Sequence, residues 1–252
     1  MRSLFQTAVT LFGLLAIWLF IVWVTDVPKF ILPNPAEVLL QFKEKYSTLS
    51  YHASITTLEI ILGLLIGTIL GLVTGLTVSL HASVRRWVLP VLIASQAIPV
   101  FAIAPLLVLW FDYGITSKVV MATLIIYFPV TVAFVDGLNR TPHDWLDLAK
   151  LQQETSSSGR FLQTIRLYRT LKIPFALPSL ASGIRVAAAV APIGAVVGEW
   201  VGSSAGLGYL MLHANGRMQT DLMFASLFTL ALIAISLYYL VDYLLRRAIS
   251  WI

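Results

Sequence analysis

Long apolar runs separated by short polar connections dominate the chain. Six runs stand out, at about 4–24, 55–79, 87–110, 119–137, 180–199 and 222–244. A helix needs roughly 20 residues to cross the ~30 Å hydrocarbon core of a bilayer, and the runs match that length. They lack the alternating segments of about ten residues that mark a membrane β-barrel. Helices also satisfy their own backbone hydrogen bonds where no water is present. The pattern predicts an all-α integral membrane protein with six transmembrane helices in a single domain spanning 1–252. The first run ends in no small-residue cleavage motif, so it reads as a retained helix rather than a signal peptide.

Composition strengthens that reading. The chain is 58% hydrophobic and 12% charged, whereas a soluble domain carries about a quarter charged residues. The absence of cysteine excludes disulfides, thiolate metal sites and cysteine nucleophiles. The net charge is +5 without any block of consecutive like charges, which fits membrane orientation rather than nucleic-acid binding. Of the 17 Lys/Arg, five (Lys29, Lys43, Lys45, Lys118 and Arg217) fall in one alternate set of connections and the other twelve in the opposite set. The positive-inside rule places the twelve, both termini and the 138–179 connection in the cytoplasm. The 25–54 segment then lies outside, with LPNP as a turn before a short interfacial helix, AEVLLQFKEKY.

The second run contains GLLIGTILGLVTG, in which Gly63, Gly67, Gly71 and Gly75 recur every four residues. Such spacing keeps small residues on one slowly drifting face where another helix can approach closely. Proline recurs in the third run (Pro90, Pro99, Pro105), the fourth (Pro129) and the fifth (Pro192). Each removes a backbone donor and bends a helix, so successive bends predict helices shaped around a path.

Chemistry is sparse. There is no phosphate-binding G-x-x-x-x-G-K-[ST], no H-E-x-x-H and no G-x-S-x-G. The histidines His52, His81, His143 and His213 are scattered near span ends and read as interfacial polar residues rather than metal ligands. No metal site is expected. Glu59, Asp136 and Asp242 fall where an interface could hold them, while Glu199 falls at a glycine-rich break after the fifth run. Two readings of Glu199 stand: a carboxylate capping loop amides at the membrane edge, or a gate or wall of a translocation path.

One long polar segment interrupts this pattern, HDWLDLAKLQQETSSSGRFLQTIRLYRTLKIPFALP at 143–178. It divides into two short helices. The first exposes Trp145, Leu146, Leu148 and Ala149. The second carries Phe161, Ile165, Tyr168 and Leu171 along one stripe, with Arg160, Arg166, Arg169 and Lys172 opposite. A basic amphipathic helix on anionic lipid fits this pattern, and so does a docking element for a cytoplasmic partner.

The loop, together with GAVVGEWVGSSAGLGYLM (194–211), resembles the permease subunit of binding-protein-dependent bacterial ABC importers. The likeness is to the branch serving sulfonates, taurine, nitrate and thiamine-precursor pyrimidines. It runs through LPNPAEV (32–38), QAIPVFAIAPLLVLWFDYGITSK (96–118), LDLAK (146–150), LKIPFALPSLASGIRVAAAVAPIGAVVGEW (171–200) and AGLG (205–208). The family's coupling motif has the form E-A-A-x-x-x-G-x(9)-I-x-L-P. Asp147, Leu148 and Ala149 match its start, and Leu171, Ile173 and Pro174 match its end. Gln153 stands at the glycine position, the nearest glycine is Gly159, and the spacing is longer, as if ETSSSG were inserted.

The resemblance implies the six-span architecture of a type I importer permease in the bacterial inner membrane. It implies an ATPase-coupling loop carrying Trp145, Leu146, Asp147, Leu148, Ala149, Gly159, Leu171, Ile173 and Pro174. It also implies a path or gate involving Glu199, Gly206, Gly208, Pro99 and Pro105. The permease itself would bind no cofactor, because ATP and Mg would sit on two copies of a separate ATP-binding subunit. A second permease copy and a periplasmic or lipid-anchored substrate-binding protein would complete the machine. The resemblance implies a pyrimidine thiamine precursor as cargo, with aliphatic sulfonate, taurine or nitrate as the alternative. Trp110, Phe111 and Tyr127 are candidates to meet a flat ring, and are equally explained as bilayer-interface anchors. An ion-coupled secondary transporter is the competing class and would depend on Glu59 and Glu199.

Overall fold

A computed structural model describes residues 2–154, 159–249 and 251. Among these the regular structure is entirely helical. The helices are α1 (Arg2–Thr25), α2 (Pro35–Glu44), α3 (Tyr46–Leu80), α4 (Ala82–Ser95), α5 (Val100–Phe111) and α6 (Ile115–Asn139). They continue with α7 (His143–Glu154), α8 (Arg160–Leu167), α9 (Ile173–Gly202), α10 (Leu207–Gly216) and α11 (Thr220–Ala248). A π-helical turn, Tyr168–Lys172, joins α8 to α9.

Among the described residues, four helical stretches are long and apolar enough to cross a membrane: Tyr46–Leu80, Ile115–Asn139, Phe161–Gly202 and Thr220–Ala248. The pair α4 and α5 makes a fifth if counted as one span, and the part of the first helix from Phe12 to Thr25 is apolar but shorter.

The third predicted span, 87–110, is not one helix. It breaks between Ser95 and Val100, and its two halves meet at 103°. Pro99 is the cause: it lacks the N–H that would continue the helix and drives Ile98 out of helical geometry. The fifth span also differs. It was expected to start near 180, after a loop ending at 179, but the helix runs unbroken from Phe161 through the π turn to Gly202. Leu171, Ile173 and Pro174 therefore belong to a continuous rod. Pro174 cannot donate to the carbonyl four residues back, and the Ile173 amide instead reaches five residues back to Tyr168.

The core is a three-helix layer of α3, α6 and α9. Gly63, Gly67, Gly71 and Gly75 press on Ala122, Ile126, Val130 and Phe134 in that order. Both series advance by four, so α3 and α6 run parallel. The α4–α5 pair must then carry the chain back to the end from which α3 started. On the other side of α6, Gly183 meets Ala133, Gly194 meets Ala122 and Gly198 meets Lys118. These numbers run in opposite directions, so α9 is antiparallel to α6. Buried Ile60, Ile126, Val130, Phe134, Ala187 and Ala191 fill the layer.

At the end where α3 begins, α2 stands on a capping box. The Asn34 side chain accepts from the Ala36 amide at 3.0 Å, and Glu37 reaches back to the Asn34 amide. Expected as an interfacial helix, α2 buries Val38 against Leu49, Leu210 and Leu222. Trp18 of α1 packs on Phe224 and Phe228 of α11, with ring centroids 5.5 and 5.8 Å apart.

Candidate functional site

Two regions carry the polar residues singled out in the sequence, one at each end of the bundle. The first is built by α7, α8 and the π turn. Trp145 and Leu148 on α7 are more than half exposed, while Leu146 and Ala149 are half-buried. The Trp145 ring lies 6.3 Å from that of Phe175, which ties α7 to the start of α9. Asp147 is exposed on the same helix. Gly159 is the N-cap of α8, with no neighbouring atom close enough to require a glycine. The apparent insertion at 155–158 lies outside the described residues.

The predicted stripe on the second helix splits. Phe161 and Ile165 stay exposed, whereas Tyr168 is buried beneath them in the bundle core. Leu171, Ile173 and Pro174 are half-buried in the rod, so the two ends of the sequence motif occupy separate helices. The Tyr168 hydroxyl donates to the Ser79 carbonyl at 2.9 Å and pairs with the Ser79 hydroxyl at 3.0 Å. Lys172 Nζ sits 4.8 Å from the Tyr168 ring centre.

The second region is a buried polar cluster around Glu199. Glu199 accepts from the Thr56 hydroxyl at 2.6 Å, from the Gly208 amide and, at 3.4 Å, from the Tyr209 amide. It therefore caps the first turn of α10, whose amides have no partner within the helix. The Leu207 amide donates to Thr56 Oγ1 at 2.8 Å and the Gly206 amide to His52 Nδ1 at 2.9 Å. Gly206 has φ +114°, a conformation that side chains resist, and any Cβ there would strike the Glu199 carboxyl. A Cβ on Gly208 would lie 2.8 Å from the same carboxyl.

Glu59 completes the cluster. It is 1% exposed. Its Oε2 atom is buried without a hydrogen-bond partner. Lys118, 3% exposed, donates to the carbonyls of Tyr113 and Gly114 at 2.6 and 2.9 Å. His52 is likewise buried. The sequence held a signal for this grouping: His52, Thr56, Glu59 and Gly63 fall at helical spacing and extend the glycine face of α3.

Pro99 and Pro105 do not join this cluster. Pro99 is the N-cap of α5, and Pro105 is on its exposed side, away from the face where Ala104, Leu107 and Val108 are buried. Trp110, Phe111, Asp112 and Tyr113 line a recess of about 710 Å³ at the end of α5. Tyr127 is elsewhere, hydrogen-bonded to Thr74 at 3.0 Å along the α3–α6 seam.

The structure defines a class: a helical bundle with membrane-length apolar helices, a half-exposed two-helix element at one end and a buried polar cluster at the other. The chain belongs to the family described as binding-protein-dependent transport system inner membrane component, whose model matches residues 63–250. Members are the permease subunits of ABC importers. The chain is 52% identical over 236 residues to a probable ABC transporter permease protein of Haemophilus influenzae, covering 94% of this chain and 93% of that one. It is 44% identical over 248 residues to the riboflavin transport system permease protein RibX of Chloroflexus aurantiacus (96% and 88% covered). It is 35% identical over 207 residues to the formylaminopyrimidine transport permease protein ThiX of Halalkalibacterium halodurans (82% and 80% covered). The family resemblance read from the sequence is thus the correct one, and the relatives are named as transport permeases, not enzymes.

Proposed function

We propose that this chain forms, with a second copy of itself, the inner-membrane path of an ABC importer for a flat nitrogen heterocycle containing a pyrimidine ring. A pyrimidine thiamine precursor is the cargo favoured here. Riboflavin, whose ring system includes a fused pyrimidine, falls in the same class. Support comes from the two relatives named for riboflavin and for formylaminopyrimidine, and from the aromatic recess at the end of α5. Aliphatic sulfonate, taurine or nitrate is the alternative cargo.

The observation that carries the energetic half of this reading is the apolar surface of α7 and α8, with Leu148, Leu151, Phe161 and Leu162 mostly exposed. Short helices with exposed apolar anchors fit a groove on a partner. That partner is an ATPase subunit, present twice, which holds ATP and Mg. The basic end of the bundle faces the cytoplasm, and a periplasmic or lipid-anchored binding protein delivers cargo to the other end. The 202–208 break clasped by Glu199 acts as the gate, and Gly206 and Gly208 are the positions that let it close on the carboxyl. Transport then needs the ATP-bound and free states of the ATPase to favour different arrangements of the bundle.

The test is purification of the tagged chain from its native membrane, assayed for vanadate-sensitive ATP hydrolysis. An ATPase subunit should accompany the chain, and Ala149→Arg should release it while leaving the permease inserted. A chain that comes down alone and without ATPase activity would overturn the reading and return attention to ion coupling through Glu59 and Glu199. Competition of uptake by pyrimidine, riboflavin and taurine then separates the cargo classes.

A further inference from the structure

We infer that Tyr168 is a positioning residue that ties the coupling element to the far helix of the core, so that motion of α7 and α8 drives α3 as well as α9. The inference rests on the importer reading above. Residues 161–202 form one rod, so a push on α8 enters α9 through the chain itself. Nothing covalent carries the push to α3, which lies on the other side of α6.

Tyr168 supplies the missing link. It is the first residue of the π turn, is 8% exposed, and belongs to the same core cluster as Phe134, Leu138 and Ala176. Its hydroxyl crosses to the last turn of α3 and donates to the Ser79 carbonyl at 2.9 Å. The last four carbonyls of a helix have no partner within it, and Ser79 is the penultimate residue of α3. Tyr168 therefore caps α3 from the coupling side. Single π turns recur at functional positions because the extra residue re-aims the side chains around it.

The link has a counterpart at the other end of the same two helices, where Glu199 of α9 holds Thr56 of α3 at 2.6 Å. With both cross-ties in place, α3 and α9 form a closed frame around α6. The glycine seam holds α3 in close contact with α6 along its length. A displacement at the π turn thus reaches the clasp around Glu199 along two rails instead of one.

The decisive measurement is the ratio of cargo taken up to ATP hydrolysed, for the complete complex in proteoliposomes. Tyr168→Phe keeps the ring in the core and removes only the tie. It should assemble, retain basal ATP hydrolysis and lower the ratio at least about five-fold. Ser79→Ala leaves the accepting carbonyl and should stay within about two-fold of wild type. A purely structural role would lower thermal stability yet leave the ratio unchanged at permissive temperature, and that result overturns the inference. If Tyr168→Phe does not assemble, hydrogen exchange on the wild-type complex decides instead. Protection at 76–81 should change together with that at 161–172 on addition of ATP and vanadate, and a change confined to 161–172 refutes the tie. A wild-type complex without ATP-driven uptake would sink the importer reading itself. An active wild type with an unaltered Tyr168→Phe ratio would sink this inference alone.

Discussion

Gly63 offers a sharp test of the seam that holds the core. An ideal Cβ on Gly63 falls 2.5 Å from Ala122 Cβ, while the next nearest atoms, the Ala122 carbonyl carbon and the Thr123 nitrogen, stay at 3.4 Å. Ordinary carbon contacts lie at about 3.5–4 Å, so Gly63→Ala must open the seam by roughly 1 Å. Ala122 cannot retreat, because Gly194 of α9 presses on its other side, where a Cβ would fall 2.6 Å from Ala122 Cα. Overpacking of this kind costs about 1–3 kcal/mol, and the better helix propensity of Ala recovers up to about 1 kcal/mol. The net loss is about 1–2 kcal/mol. At about 2–4 °C per kcal/mol for a chain of this size, the midpoint in detergent should fall by several degrees. The exchange Gly63→Ala with Ala122→Gly removes the clashing methyl, cancels the propensity terms and should return the midpoint close to wild type. The assay is loss of the monodisperse peak after graded heating, read as a double-mutant cycle. The reasoning fails if Gly63→Ala leaves the midpoint unmoved, or if the exchange is no better than the single change.

Two further outcomes follow from the opposite end of the bundle. Glu199→Ala strands the Gly208 amide and weakens the hold on Tyr209 and Thr56; at about 1–3 kcal/mol per buried donor left unmade, it should cost about 3 kcal/mol, and Glu199→Gln, which keeps an acceptor, clearly less. Equal midpoints for the two variants would show that the carboxyl is not the cap of α10. Asn34→Ala removes the N-cap of α2 and should cost about 1 kcal/mol, seen as faster exchange of the 36–38 amides. Unchanged exchange there would mean that packing against α11, not the cap, holds the helix start.

Much of the architecture was legible in the sequence, because a bilayer imposes its thickness on the pattern. Five of the six predicted apolar runs lie within single helices for that reason. The glycine positions on α3 were legible too, since a four-residue repeat fixes a face of a helix regardless of what meets it. What meets it was not: the register 63–122, 67–126, 71–130 and 75–134 depends on α4 and α5 folding back. The misread spans share a local cause. Pro99 breaks a run that hydropathy alone treats as continuous, while Pro174 is absorbed by a π turn in a segment that polarity marks as loop.

The buried clasp shows the same division. Glu199 stood out beside a glycine-rich break, and Glu59, three apolar runs and about 140 positions earlier, looked like a residue at a membrane edge. Periodicity along one helix places a side chain on a face but carries no information about its depth or its partner on another helix. Hydropathy and charge by themselves determined the class of protein, its solvent, its approximate spans and the face of α3 that packs. The tertiary structure alone decided that Thr56 meets Glu199 and that Tyr168 reaches Ser79. Those contacts join residues far apart in the chain, and they form only when antiparallel and parallel helices bring their faces together.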